Sequence, residues 1–315
     1  MPTAGQPLRD RTVLITGGAG FIGSCLAQAA VRRGARRVVL LDRRVPGNPP
    51  AGAEHVLCDL GSEAPVARHL EGVDLVFHLA AEKHSQELPD PERLLRANVL
   101  GMQALLRAAV TAGVRKVVFT SSVYAYGRTS APPMDEAEAP RPTTVYGVSK
   151  LTGEHLLEQA RIAHGLSGVS LRLFFVYGPG QDHGRSYRTL IARSFERLRR
   201  GEPVTVYGDG RQALDYAYVD DVVEALLLAM ESDVSGMVLN VGSGIAMPVE
   251  ALIDAMIATA GGTPSKVFLS ADETAGTSRV ARIDRIRDAL GWMPRTSLDE
   301  GLRRTWAALQ EACPA

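Results

Sequence analysis

A tyrosine and a lysine stand four residues apart at the start of YGVSKLTGEHLLEQA, a stretch that reads as an amphipathic helix. Residues i and i+4 share one face of a helix, so Tyr146 and Lys150 are expected to point into the same space. Tyrosine is a poor base at neutral pH because its pKa is near 10, and a nearby ammonium lowers that pKa. With eight tyrosines and four lysines in the chain, chance predicts roughly 0.1 such pairs. The pair therefore predicts a proton-transfer site.

Three glycines, Gly17, Gly20 and Gly23, lie between the apolar run at 12–17 and a predicted helix over about 22–34. Glycine is needed where the backbone turns sharply, approaches a pyrophosphate closely and packs a helix against a strand. The helix N-terminus then presents N–H donors and a positive dipole end to the phosphates. The spacing G-x-x-G-x-x-G in this context predicts a dinucleotide site.

An acidic residue, Asp42, closes the second predicted strand, 19 residues after Gly23. A carboxylate there accepts hydrogen bonds from the ribose 2′-hydroxyl and repels a 2′-phosphate, which predicts NAD rather than NADP. Arg43 and Arg44 follow directly and could pair with a 2′-phosphate, so NADP stays an alternative. Asp59, in the sequence CDL (58–60) that ends the next strand along the chain, could reach the adenine amino group.

Apolar runs alternate with helical segments through the first half of the chain. They predict strands at 12–17, 37–42, 73–80, 116–122 and 169–178, with helices between them. This alternation is typical of a doubly wound α/β fold with a parallel sheet, the Rossmann type. We predict a dinucleotide-binding domain over 1–170. A smaller mixed α/β substrate lobe is expected over 171–315, interleaved with the first domain and contributing to the sheet.

Composition excludes several classes of function. The 315 residues carry 35 basic and 35 acidic side chains and no basic stripe, so nucleic acid is not an expected partner. The three cysteines and seven histidines show no metal-ligand spacing, and no metal is expected. No apolar run is long enough to span a bilayer, and the polar N-terminus lacks a signal-peptide core. These features predict a cytoplasmic protein without membrane contact.

Several further motifs occur in a characteristic order. They are TGGAGFIGS, HLAA at 78–81, NVLG at 98–101, FTSSVYAYG at 119–127, YGVSK at 146–150, VYGPGQ at 176–181 and DYAYVDDVVEA at 215–225. With VYGDG at 206–210 and LGWMP at 290–294, they resemble the extended short-chain dehydrogenase/reductases. Within these, the chain is similar to the NAD-dependent epimerase/dehydratase family, typified by UDP-galactose 4-epimerase, over almost its whole length.

The resemblance implies a Ser–Tyr–Lys site formed by Ser122, Tyr146 and Lys150. Tyr146 would take a hydroxyl proton from a nucleotide sugar while hydride leaves the same carbon for NAD, and a 4-epimerase would return the hydride to the opposite face. A net NAD(P)-dependent sugar dehydrogenase or ketoreductase using the same site remains an alternative. A non-catalytic NAD-sensing scaffold is a further one. The family often forms homodimers through two helices, which predicts a homodimer here.

Site residues carried over from the resemblance fall into two groups. The cofactor would contact Gly17, Gly20, Phe21, Ile22, Gly23, Asp42, Arg43, Asp59, Leu60, Leu79, Ala80, Ala81, Lys83, Asn98, Tyr146 and Lys150. The substrate would contact Lys83, Ser122, Val123, Tyr124, Phe175, Arg188, Arg211, Leu214 and Arg279. His84, beside Lys83, could also line the sugar pocket.

The substrate half departs from the family pattern at several positions. Val123 and Tyr124 stand where the 4,6-dehydratases carry Asp-Glu, which argues against dehydration. Phe175 and Leu214 replace an Asn and an Arg that contact the phosphates. An apolar side chain cannot replace a guanidinium grip on phosphate. Two explanations stay open: the substrate is not an ordinary UDP-sugar, or other arginines compensate, namely Arg188, Arg211, Arg279 or Arg282.

Overall fold

A parallel sheet forms the centre of the molecule. The computed structural model describes residues 8–47, 49–61, 66–83, 90–127, 132–181, 189–261, 265–271 and 276–312. Within them, seven strands form one sheet in the order β11-β6-β5-β4-β1-β2-β3, and every neighbouring pair is parallel. These strands are β1 (Thr12–Thr16), β2 (Arg37–Asp42), β3 (Ala53–Leu57), β4 (Leu75–His78), β5 (Lys116–Ser122), β6 (Ser167–Leu173) and β11 (Met237–Val241).

Helices cover both faces of this sheet. They are α1 (Phe21–Arg32), α2 (Pro91–Leu95), α3 (Gly101–Thr111), α4 (Val145–His164), α5 (Leu190–Arg199), α6 (Val219–Glu231), α7 (Val249–Ala260), α8 (Asp284–Leu290) and α9 (Leu298–Ala312). One buried apolar cluster joins the sheet to α1 and α6, and a second joins it to α3 and α4. Strands such as β1 and β5 are buried along their whole length, as a sheet covered twice requires. The predicted doubly wound fold is confirmed.

The helical stretch that follows β4, residues 91–111, contains an irregularity. A π-helical turn, Arg96–Leu100, separates α2 from α3 and contains Asn98. Such turns are rare inside helices and are frequent at functional sites. Periodicity of apolar residues does not reveal them, because one inserted residue shifts the pattern by less than a turn.

The second half of the chain adds small sheets beside the carboxyl edge of the main sheet. Their strands are β7 (Phe175–Tyr177), β8 (Val204–Tyr207), β9 (Ala213–Leu214), β10 (Tyr216–Tyr218), β12 (Met247–Pro248), β13 (Lys266–Leu269) and β14 (Ser278–Arg279). They pair as β10-β7, β12-β9-β14 and β13-β8. Strand β11 belongs to this half but joins the edge of the main sheet. The division at residue 170 remains a prediction.

A buried carboxylate ties these small strands to the main sheet. Asp215, between β9 and β10, is fully buried. Its carboxylate accepts hydrogen bonds from the backbone N–H groups of Ser243, Gly244 and Ala281, and from the Ser243 hydroxyl. Because buried charge is tolerated only when it is hydrogen bonded, these contacts fix β9 and β14 against the end of β11.

Three further observations concern the described residues. Their helices include none with the length and apolar character needed to cross a bilayer. Among the same residues, no three potential metal-ligating side chains come together. Cys25 and Cys58 are free thiols, and Cys313 lies outside the described residues.

Candidate active site

The first turn of α4 places the predicted tyrosine and lysine. Thr144 caps the helix, with its hydroxyl oxygen accepting a hydrogen bond from Gly147 N–H at 3.0 Å. Gly147 packs on the backbone of Tyr124, and a Cβ at this position would collide with the Tyr124 carbonyl oxygen. The start of α4 therefore lies directly against the turn that follows β5, with Tyr146 in its first turn.

Lys150 lies one helical turn further on and is 3% exposed. Its ammonium donates a hydrogen bond to the Thr120 carbonyl oxygen at 2.8 Å and lies 5.7 Å from the centre of the Tyr146 ring. Burial, reinforced by the charge of Lys83 and opposed by that of Glu154, lowers the pKa of Lys150 to about 7. The amine therefore points inward, toward the tyrosine and the end of β5.

The hydroxyl of Ser122 completes this group at the last position of β5. Ser122 is 8% exposed, and its oxygen accepts a hydrogen bond from the Tyr124 backbone N–H at 3.3 Å. The Tyr124 ring meets the Tyr146 ring edge-on, with centroids 5.9 Å apart. Val123, which lies between Ser122 and Tyr124 in the sequence, is buried. The structure thus brings residues of two separate sequence motifs, FTSSVYAYG and YGVSK, together at one end of β5.

A histidine near the lysine is unsuited to carry protons. His78, at the end of β4, is 1% exposed, and one ring nitrogen hydrogen-bonds the Thr16 hydroxyl at 2.7 Å. Burial, reinforced by the charge of Lys150, lowers the pKa of His78 to about 3. The imidazole is therefore neutral at physiological pH and is not a ready proton donor at this site.

Sequence reasoning missed a buried polar network behind this group. Successive side chains of a strand point to opposite faces, so Ser121 points away from Ser122, and its hydroxyl donates to the Glu154 carboxylate. Arg172 of β6 holds the same carboxylate through two hydrogen bonds of 2.9 and 2.7 Å. Two signals could have revealed the pair: Glu154 stands four residues after Lys150, and Arg172 interrupts an otherwise apolar strand.

The network continues into the second half of the chain. The Arg172 guanidinium lies 4.3 Å from the centre of the Tyr126 ring, and the Tyr126 hydroxyl donates to the Asn240 side-chain oxygen at 2.8 Å. Asn240 in turn donates to the carbonyl oxygens of Met134 and Arg282. Buried hydrogen bonds therefore connect β5 and α4 to the segments that border the site from the second half.

The glycine turn after β1 has the geometry of a phosphate cradle. Gly17 has a φ of +73°, and a Cβ there would lie 2.8 Å from the Ala80 backbone nitrogen. A Cβ on Gly23 would collide with the Gly17 carbonyl oxygen. Gly20 precedes α1, where no side chain caps the backbone N–H groups. Phe21 and Ile22 then open the helix, so its N–H donors are available to an anion.

The carboxylate predicted to bind ribose lies beside this turn. Asp42 is 9% exposed and accepts hydrogen bonds from the backbone N–H groups of Ala19 at 3.1 Å and Arg44 at 3.0 Å. The guanidinium of Arg43 is paired with Glu82 at 2.7 Å. Glu82 therefore engages Arg43, one of the two arginines that could pair with a 2′-phosphate.

Asn98 acts on the segment after β4 through its side chain. Its carboxamide oxygen accepts a hydrogen bond from Glu82 N–H at 2.7 Å, and its nitrogen donates to the Glu82 carbonyl oxygen and the Ser149 hydroxyl. Ser149 lies between Tyr146 and Lys150 on α4. Asn98 therefore holds the segment 81–83, including Lys83, against the helix that carries the tyrosine and lysine.

A cleft of about 340 Å³ opens at the end of β3, lined in part by Arg43, Asp59 and Arg96. The Asp59 carboxylate is exposed and accepts a hydrogen bond from Gly61 N–H at 2.9 Å. The remaining predicted cofactor residues are half-buried along the same edge: Leu60, Leu79, Ala80 and Ala81. A dinucleotide in an extended conformation fits this edge of the sheet. Its possible contacts are the uncapped start of α1, the Asp42 carboxylate at the end of β2 and the cleft beside Asp59.

The predicted substrate residues are less uniform in their surroundings. The Phe175 ring lies 5.9 Å from that of Tyr216, and Leu214 is buried beside Arg279 in the β9–β14 pair. The Arg211 side chain is 88% exposed, at 3.8 Å from Asp209. The structure therefore places Arg211 in an exposed turn, whereas Arg279 packs near Tyr124.

The other arginine candidates differ in what the structure shows. Arg282 pairs with Asp135 at 3.4 Å. Arg188 lies outside the described residues, and so does His84.

Comparison with known proteins agrees with this description. The fold and the glycine turn are those of a dinucleotide-dependent enzyme of the extended short-chain dehydrogenase/reductase type. The chain belongs to the NAD dependent epimerase/dehydratase family, whose model matches residues 13–242. Its cofactor is NAD.

Individual relatives cover nearly the whole chain. It is 35% identical to the UDP-glucose 4-epimerase of Mycolicibacterium smegmatis over 306 residues, which are 93% of this chain and 96% of that protein. The UDP-glucose 4-epimerase of Thermotoga maritima, solved with UDP-glucose, superposes with a TM-score of 0.90 at 33% identity, covering 96% and 99%. MoeE5, solved with UDP-glucuronic acid and NAD, superposes with a TM-score of 0.86 at 37% identity, covering 96% and 100%.

Proposed function

We propose that this protein is a nucleotide-sugar 4-epimerase. The observation that carries the proposal is the pairing of Tyr146 with the buried ammonium of Lys150 beside Ser122, at the carboxyl end of β5. Its relatives include UDP-glucose 4-epimerases, one of them solved with UDP-glucose, and this similarity supports the substrate class.

Proton transfer at the sugar hydroxyl is assigned to Tyr146. Its phenolate accepts the proton of the C4 hydroxyl as the C4–H bond breaks and the carbonyl forms, and it returns the proton when the sugar is reduced again. Bound NAD supplies the acceptor for the C4 hydride and its donor on the return. Lys150 stabilises the phenolate electrostatically, and the Ser122 hydroxyl donates a hydrogen bond to the reacting oxygen.

The residues around the site support this assignment over elimination chemistry. Water elimination needs an acid and a base at the substrate, and Val123 is buried and apolar whereas the Tyr124 ring meets the Tyr146 ring edge-on. The carboxylate near the site, Glu154, is engaged by Arg172 and Ser121 away from the phenol. The described side chains therefore favour proton exchange at a single hydroxyl.

Replacing the phenol tests the proposal. We expect Tyr146→Phe to lower kcat for interconversion of UDP-glucose and UDP-galactose, or of the corresponding hexuronates, by about 10²- to 10⁴-fold, because general acid–base catalysis contributes that much. Nuclear magnetic resonance of the sugar anomeric protons follows the reaction directly. Tyr207→Phe, on β8, is the matched control and should retain activity. Full activity of Tyr146→Phe would refute the assignment, and consumption of added NAD in proportion to product would instead indicate a net dehydrogenase.

A further inference from the structure

Arg279 occupies a position that the surrounding sheet holds firmly. It ends β14, which pairs in parallel with β9 so that Arg279 stands beside Leu214. The backbone N–H of Asp215 donates to the Arg279 carbonyl oxygen at 3.0 Å, and Asp215 is itself fully buried and hydrogen bonded. The backbone of Arg279 is therefore placed by a hydrogen-bonded strand pair, which limits where its side chain can reach.

The guanidinium of Arg279 faces the site. Its central carbon lies 4.9 Å from the centre of the Tyr124 ring, and that ring meets the Tyr146 ring edge-on. One aromatic residue thus separates the guanidinium from the proposed acid/base. A sugar ring with its substituents can span this separation.

Part of this guanidinium lacks a partner. Nη1 of Arg279 is buried and has no hydrogen-bond partner, and within the described part of the chain no carboxylate pairs with it. Arg282, three residues later, is paired with Asp135 at 3.4 Å. Stacking on an aromatic ring occupies the face of a guanidinium and leaves its N–H donors along the edge. A buried donor without a partner is costly, so a ligand that accepts this hydrogen bond is strongly favoured.

We propose that Arg279 is a specificity-determining residue that binds an anionic oxygen group of the substrate, either a sugar carboxylate or an oxygen of the diphosphate. A guanidinium recognises both through paired, charge-assisted hydrogen bonds. Leu214, beside it on β9, contributes no charge to this face. The inference rests on the proposed function, because it requires a nucleotide sugar bound beside Tyr146.

Binding and stability measured together test this role. We expect Arg279→Met to weaken binding of UDP-glucuronate, UDP-glucose or both by about tenfold or more, as measured by calorimetry on the NAD-bound protein. The melting temperature without nucleotide sugar should be unchanged or higher, because the substitution removes an unpartnered buried donor. Arg287→Met on α8, where the arginine pairs with Asp284 at the surface, is the matched control and should bind as the unmodified protein does.

The pattern of losses identifies the anion. Weakened binding of UDP-glucuronate alone indicates the sugar carboxylate, whereas equal weakening of both nucleotide sugars indicates the diphosphate. Binding of both within twofold of the unmodified protein would overturn the proposal, as would failure of the unmodified protein to bind either one. If the methionine variant does not fold, Arg279→Gln is judged by the same criteria.

These outcomes are separable from failure of the proposed chemistry. Tyr146→Phe should bind both nucleotide sugars normally while losing turnover. If Tyr146→Phe stayed active, the 4-epimerase proposal would fail while the binding result for Arg279 would stand. If Arg279→Met bound normally while Tyr146→Phe lost activity, only the inference about Arg279 would fail.

Discussion

The ammonium of Lys150 lies in the interior of the protein, where desolvation opposes its charge. Burial lowers its pKa from 10.5 to about 7, and its hydrogen bond to Thr120 and the nearby Glu154 moderate the cost. A buried ammonium group is unfavourable for folding. It lies here next to Tyr146, whose phenolate form would need a positive neighbour. An ammonium and a phenolate stabilise each other, so the ionised pair is favoured when both form.

This burial predicts a pH-dependent effect on stability. Between pH 7 and 10.5 the folded protein binds fewer protons at Lys150 than the unfolded chain does, so the stability of the wild type rises with pH in that window. We expect Lys150→Met to raise the melting temperature by about 3 °C or more at pH 6.5, because the substitution removes the cost of a buried charge. The difference should shrink progressively toward pH 10.

Melting curves of both proteins across this range provide the measurement. Lys266→Met serves as control, because Lys266 pairs with Asp254 and Glu250 near the surface. Its melting temperature relative to the wild type should not follow the same pH trend. A difference between Lys150→Met and wild type that is constant from pH 6.5 to 10 would contradict a depressed pKa for Lys150.

For individual residues, the sequence predicted much of the candidate site. The spacing of Tyr146 and Lys150 on one helix face was sufficient to expect that they meet. The contact between Lys150 and the Thr120 carbonyl was not predictable, because backbone acceptors carry no sequence signal. The contact of Asn98 with the cofactor stays a prediction, and the hydrogen bonds of its carboxamide to Glu82 and Ser149 could not be foreseen from the sequence.

Helix α4 carries two ion pairs that differ in environment. Glu154 pairs with Arg172 of β6 where both side chains are almost fully buried, at 5% and 4% exposure. Glu158 pairs with Arg161 on the outer side of the same helix, at 40% and 39% exposure. The inner pair links α4 to β6, and through Ser121 to β5, so it fixes the helix relative to the strand that ends in Ser122.

Breaking the inner pair should therefore destabilise the fold. We expect Glu154→Gln to lower the free energy of unfolding by about 3 kcal/mol, because it leaves the buried Arg172 charge uncompensated. Urea denaturation measures the change. Glu158→Gln is a matched control on the same helix, and its effect should lie within experimental error because that pair is exposed to solvent. Equal effects of the two substitutions would contradict a special role for the buried pair.

The main helices and strands were predictable because the pattern of apolar residues within each segment indicates its type. Buried strands such as β5 appear as continuous apolar runs, and helices such as α4 appear through their periodicity. The short strands β9, β12 and β14 were not predicted, because two residues cannot establish a pattern and their pairing depends on the hydrogen bonds of Asp215. The substrate half is built largely from such tertiary contacts, which is why its residues were harder to assign.

Over the whole molecule, two halves of the chain contribute to one site. The sheet and its glycine turn provide the cofactor side. Strands β9 and β14 of the second half, together with the segment near Met134 of the first half, provide the other side. Hydrogen bonds through Asn240 connect them. The homodimer remains a prediction. Exposed apolar side chains are present on the helices that would form it, for example Leu100 in the π-helical turn before α3 and Val148 on α4.

The fate of the C4 hydrogen tests the central claim most directly. A 4-epimerase that oxidises and re-reduces one carbon within a closed site should keep that hydrogen on the same sugar. We therefore predict that a nucleotide sugar deuterated at C4 yields an epimer that retains the label, and that unlabelled substrate gains no deuterium at C4 from heavy water. Mass spectrometry of the separated epimers measures both. Loss of the C4 label to solvent or to added NAD would contradict the proposed mechanism.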